Sequence, residues 1–143
     1  MRKPLNLLTG VMTVVGRLLL CSVFLAAAAG FTAPDVHGVA DAIATKAAMA
    51  PAWTLVAGTV ILCAGSLSVV LGYKARIGAL ALLVFMAIST WLFHGFTIWN
   101  MLSRQARHDH LAHLLMNLSI MGAMLFIVAN GAGKMSVDGS KRI

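Results

Sequence analysis

Four long apolar stretches, residues 11–31, 53–72, 77–99 and 111–130, decide what this chain can fold into. Each is long enough to cross a hydrocarbon core, which takes roughly 20 apolar residues as a helix. Lipid offers no water to an unsatisfied amide, so a spanning backbone must close its hydrogen bonds as helices or as a complete barrel. Barrel strands alternate apolar and polar residues over segments of about ten, and these stretches do not. The expectation is an all-α, polytopic membrane protein: a four-transmembrane-helix bundle made by a single domain over residues 1–143. Composition points the same way. With 60% hydrophobic and 10% charged residues at a mean hydropathy of +0.91, the chain has too little polar surface for a water-soluble fold.

Lysine and arginine predict the orientation, because loops rich in them stay cytoplasmic. One side carries Arg2, Lys3, Lys74, Arg76, Lys134, Lys141 and Arg142, and the other Lys46, Arg104 and Arg107. That asymmetry puts both termini in the cytoplasm. The net charge of +7 then belongs to topology and anionic headgroups rather than to nucleic acid, since no basic surface is interleaved with aromatics. Trp53 and Trp99 fall at the outer interface and Tyr73 at the inner one. A competing reading makes the basic start, the run LLLCSVFLAAAAG and Ala27, Ala28 and Ala29 a secretory signal. Against it, the apolar stretch is longer than a signal core, and cleavage would leave an odd number of spans.

The longest connection, residues 32–52, repeats Val36, Val39, Ile43, Ala47 and Ala50 at helical spacing. This predicts a short amphipathic helix on the outer face, ended by Pro51 before the second span; a loosely structured loop is the plainer alternative. Gly58, Gly65 and Gly72 recur every seven residues with Ala57 and Ala64 alongside, a small-residue stripe for close helix packing. Cys21 and Cys63 lie near the midplane on opposite-running spans and read as buried small hydrophobes.

The chemically suggestive residues are His94, Gln105, His110, His113 and Asn117, in the stretch WLFHGFTIWNMLSRQARHDHLAHLLMN. Polar groups at membrane depth are costly and usually have a task. Counting at 1.5 Å per residue sets His94 and His113 within about 4 Å of the same outer edge. His110, His113 and Asn117 share a helix face by spacing, and Gln105 falls in the loop. A haem or metal ion between His94 and His113, a quinone carbonyl bound by a histidine and Asn117, or an interhelical hydrogen-bond network could each use such a group. No CxxCH, HExxH or nucleotide loop is present and the chain has no Glu, so haem and metal are the least favoured. At the other end, Arg17 lies about six residues inside the first span. It either snorkels to the headgroups or pairs with Asp138 as a structural ion pair.

Taken together, GRLLLCSVFLAAAAGF, LGYKARIGALALLVFM, FHGF, HLLMNLSIMGAMLFI and GAGKMSVD resemble the DoxX family of small bacterial inner-membrane proteins across nearly the whole chain. The resemblance implies a multi-pass protein of the bacterial inner membrane, serving as an accessory subunit of a quinone-linked or oxidative-stress-related oxidoreductase complex. It implies membrane or soluble redox subunits as partners, with a homo-oligomer open. The family's motif positions fall on Arg17, Phe24, Gly30, Gly72, Arg76, His94, Gln105, His113, Asn117, Gly131, Gly133, Ser136 and Asp138. Two departures stand out: Thr32 and Ala33 replace a lysine expected after the first span, and the second span has no acid. The alternative from another class is a non-enzymatic membrane scaffold or assembly protein, in which the polar cluster is structural.

Overall fold

A computed structural model describes residues 2–31, 51–91, 104–133 and 135–140, together with residues 37, 41 and 45. Its elements are α1 (Arg2–Ala28), α2 (Pro51–Leu71), α3 (Ala75–Thr90), α4 (Arg104–Asn130) and the short α5 (Val137–Ser140). Among the described residues every regular element is helical, as an apolar chain that must satisfy its own amides requires. Two segments, Leu7–Ala28 and Arg107–Asn130, are long and apolar enough to cross a membrane by themselves. The apolar parts of the other two long helices, Leu55–Leu71 and Ala75–Thr90, are shorter.

Boundaries differ from the sequence expectation in instructive ways. Pro51 opens α2; a first-turn residue has no intrahelical donor to lose, so proline is tolerated there. α4 begins well before the apolar stretch, at Arg104, because helix propagation continues into polar sequence once a long segment is nucleated. Between α1 and α2, His37, Asp41 and Thr45 are helical and exposed, and the Thr45 hydroxyl donates to the Asp41 carbonyl at 2.8 Å. The stripe Val36, Val39, Ile43, Ala47 and Ala50 lies outside the described residues.

The helices pack in chain order, α1 on α2, α2 on α3 and α3 on α4. Their shared core holds Cys21 and Phe24 from α1, Leu62 and Val69 from α2, Leu82 and Met86 from α3, and Met124 and Ile127 from α4. Apolar side chains also cover the outside: Leu19, Val60, Ile77, Leu115 and Phe126 are all well exposed, a surface suited to hydrocarbon. Lipid supplies no hydrophobic drive between helices, so contact must come from close packing. Gly65 and Gly78 provide it for α2 and α3. A Cβ on Gly65 would stand 2.9 Å from the Leu82 side chain, and one on Gly78 would stand 2.9 Å from the Gly65 carbonyl oxygen.

The small-residue stripe of α2 is only half realised. Gly58, Gly65 and Gly72 are buried with Leu62 and Val69, while Ala57 and Ala64 face outward. Cys63 is exposed, contrary to expectation, whereas Cys21 is fully buried. Depth along an axis says nothing about azimuth, and one residue beyond buried Leu62 turns a side chain about 100° away.

α2 ends in a Schellman closure. Gly72 adopts φ 68°, its N–H bonds the Val69 carbonyl at 3.2 Å, and the Tyr73 N–H bonds the Ser68 carbonyl at 3.1 Å. That left-handed position lets α3 start only three residues later, antiparallel to α2.

Candidate functional site

Of the five polar residues singled out near the third and fourth apolar stretches, the described side chains are those of His110, His113 and Asn117. His94 lies outside the described residues. Gln105 belongs to the first turn of α4 and not to a loop. His110 and Asn117, seven residues apart, both turn partly inward, while His113 is exposed. By spacing the three lie within about 60° of one another, so His113 sits at the exposed edge of the face that partly buries His110 and Asn117.

Asn117 has a specific partner. Its Nδ2 donates to Thr90 Oγ1 at 3.2 Å, joining α4 to the last turn of α3 at a nearly closed position, with Thr90 8% exposed. The sequence signal for Thr90 was the polar pair Ser89–Thr90 interrupting an apolar span, and it was not read as half of a hydrogen bond. Among the described residues no three His, Cys, Asp or Glu side chains come together where a metal ion could be held.

The opposite end of the molecule holds the denser arrangement, centred on Arg17. Its side chain is 4% exposed, so it does not snorkel out to the headgroups. Nε donates to the Thr13 carbonyl at 3.2 Å, one Nη to the Val69 carbonyl at 3.4 Å and the other to the Met135 carbonyl at 2.6 Å. Three separate backbone segments thus meet on one guanidinium. Its charge faces the C-terminal turn of α2, where exposed carbonyls make the helix end negative.

Asp138 sits at this end too and has a different task. Its Oδ2 accepts from the Ala75 N–H at 3.2 Å, capping the first turn of α3, and its own N–H donates to the Gly72 carbonyl at 2.9 Å. A carboxylate at a helix N-terminus satisfies an orphan donor and meets the positive end of the dipole. Ser136 helps to fold the segment by donating to the Gly133 carbonyl at 2.6 Å and accepting from the Gly139 N–H at 3.0 Å. The sequence GAGKMSVD therefore closes the bundle: Met135 rests on Gly10 and Ser136 on Gly72. Arg17 and Asp138 join the same structure through backbone groups, which replaces the expected bond between the two side chains.

Between α1 and α4 runs a groove of about 430 Å³. Thr13, Gly16, Arg17 and Leu20 line one wall, and Phe126, Ile127 and the turn after α4 line the other.

Comparison with known proteins assigns a different family from the one the motifs resembled. The model of the SURF4 family matches residues 42–143. A Surfeit locus protein 4 homologue of Schizosaccharomyces pombe is 27% identical over 129 residues, covering 90% of this chain and 37% of that relative. The chain thus spans well under half the length of the curated relative it matches. No solved structure matches. These matches overturn the DoxX resemblance and, with it, the oxidoreductase and quinone readings and the ground for a bacterial inner membrane. The physical reason is visible in the fold. LGYKARIGAL and GAGKMSVD carry a helix stop, a cap and a closing turn, which are devices of helical packing and specify no redox chemistry.

Proposed function

The chain belongs to the SURF4 family, and on that premise we propose that it is a non-enzymatic membrane protein: a helical body that scaffolds, or helps to assemble, other membrane components by binding them. The observation that carries this reading is how the chemically capable side chains are used. Arg17 is spent on three carbonyls, Asp138 on a helix cap and Asn117 on a threonine of the neighbouring helix. Each fastens one segment to another, and none is paired with a second titratable side chain as a catalytic acid, base or nucleophile would be.

Four spans fit this reading best. α2 and α3 pack between two helices that can each cross a membrane, and α3, about 24 Å long at 1.5 Å per residue, approaches the thickness of a hydrocarbon core. Both ends of the chain then face the cytoplasm, on the side rich in lysine and arginine. Lipid is one partner, and the partner proteins are membrane components engaged by the outer surfaces of the bundle. Asn117, with His110 partly buried on the same face, is read as part of the joint between α3 and α4.

A joint and a ligand site respond differently to substitution. Asn117→Ala is expected to lower the unfolding temperature in detergent while leaving copurifying proteins at their wild-type ratio to folded chain. An unchanged unfolding temperature together with loss of a copurifying protein or chromophore would overturn the reading.

A further inference from the structure

The sequential packing of α1 through α4 leaves one seam sparsely filled, that between α1 and α4, and the groove lies along it. Thr13 to Leu20 and Ala123 to Asn130 border it, so by helical rise it is about 10 Å long. One end is apolar, walled by Leu20, Phe126 and Ile127. The other end holds Arg17 and the turn Gly131–Gly133. Gly16 faces open space within it, since a Cβ there would meet nothing within 4 Å.

The polar end is positively charged, and among the described residues its guanidinium bonds carbonyls and no carboxylate. Arg17 engages only carbonyls, which leaves two of its five N–H groups beyond its three bonds. A second guanidinium stands beside the same turn: Nε of Arg76 lies 3.6 Å, and one Nη 4.0 Å, from where a Cβ on Gly131 would be. Asp138, the acid of this segment, has its carboxylate turned to the Ala75 N–H. Arg17 lines this end of the groove and Arg76 stands beside its Gly131 turn, and such charges attract a phosphate, which guanidinium groups can bind with paired hydrogen bonds. The apolar half forfeits dispersion contacts unless something fills it.

We infer that the α1–α4 groove is a binding site for an anionic phospholipid. One acyl chain lies against Leu20, Phe126 and Ile127, and the phosphate lies at the Arg17–Arg76 end. A zwitterionic lipid would fill the same space without supplying net charge. Free phosphate would supply charge and leave the apolar half empty. The inference depends on the seam and its charges and holds whether or not the chain acts as a scaffold.

The test is native mass spectrometry of the full, delipidated chain in a neutral detergent, titrated with equimolar phosphatidylglycerol and phosphatidylcholine and, separately, with inorganic phosphate. Phosphatidylglycerol should be retained about tenfold over phosphatidylcholine, a difference of about 1.4 kcal/mol. Gly16→Phe fills the groove and should cut that retention about tenfold without lowering the lipid-free unfolding temperature. Arg76→Gln should reduce the preference for phosphatidylglycerol about threefold. Equal retention of the two lipids, or full displacement of phosphatidylglycerol by inorganic phosphate, would overturn the inference. So would a dimer that dissociates in Gly16→Phe, because a second copy would then be the occupant. Should Gly16→Phe fail to fold, an unchanged lipid preference in Arg76→Gln is decisive against it.

Discussion

Replacing Arg17 by methionine should loosen the end of the bundle where α1, α2 and the C-terminal turn meet, without changing its helices. Methionine keeps a long flexible apolar stem and removes all three hydrogen bonds at once. Hydrogen bonds to a charged group contribute roughly 1.5–3 kcal/mol each, but these three are unequal. The 2.6 Å bond to the Met135 carbonyl counts in full, while those of 3.2 and 3.4 Å count for less. The Val69 carbonyl also keeps its bond from the Gly72 N–H. Part of the gross gain already offsets the cost of burying the guanidinium, so the net loss is expected at about 3 kcal/mol. At about 3 °C per kcal/mol for a chain of this size, the unfolding temperature should fall by about 10 °C, followed by circular dichroism in detergent. Amide exchange should accelerate at residues 135–138, which lose their anchor, and stay slow around Leu62 and Leu82. Arg17→Lys separates this account from snorkelling. An ammonium cannot span three divergent carbonyls, so lysine should restore less than half of the loss. Full restoration by lysine, or an unchanged unfolding temperature in the methionine variant, would refute the carbonyl-bridging role.

Three further outcomes follow from the same structure. Gly72→Ala should destabilise by about 2 kcal/mol, because φ 68° disfavours any Cβ and the new atom would press on Ser136 and Arg17; Gly122→Ala, in open space within α4, should instead stabilise by about 0.5–1 kcal/mol in the same melt. Asp138→Ala should cost about 1 kcal/mol as a lost helix cap, with Asp138→Asn recovering part of it, since the amide oxygen still accepts from Ala75 but carries no charge. In folded protein a small apolar maleimide should label Cys63 and spare Cys21 until the chain unfolds, as read by intact mass; equal labelling of both would contradict the packing of α1 on α2.

Much of the fold was legible because lipid imposes few options. Apolar length located the four long helices seen among the described residues, while Gly72, counted in a small-residue stripe, proves to stop α2. What sequence could not supply was azimuth and long-range partnership. Counting residues set Cys21 and Cys63 at one depth but not on one face, and the same counting levelled His113 with its neighbours while the helix turned it outward. For Arg17 the sequence left two readings open, snorkelling to the headgroups or an ion pair with the carboxylate of Asp138. The actual partners are backbone carbonyls, one of them 118 residues away, and carbonyls have no letter in a sequence. Asn117 was picked out as a candidate binding residue while Thr90, the group it bonds, passed as part of a span. The family resemblance erred for a related reason. Its motifs were read as marks of a redox subunit, yet they encode how helices stop, cap and close.

Purification of the intact chain from its native membrane in mild detergent, with the visible spectrum and the native mass recorded on the same sample, separates binding from chemistry. If the chain works as a helical scaffold, it should elute with other membrane polypeptides in constant ratio and without a stoichiometric redox chromophore. A solitary chain carrying haem or quinone at one equivalent would contradict it.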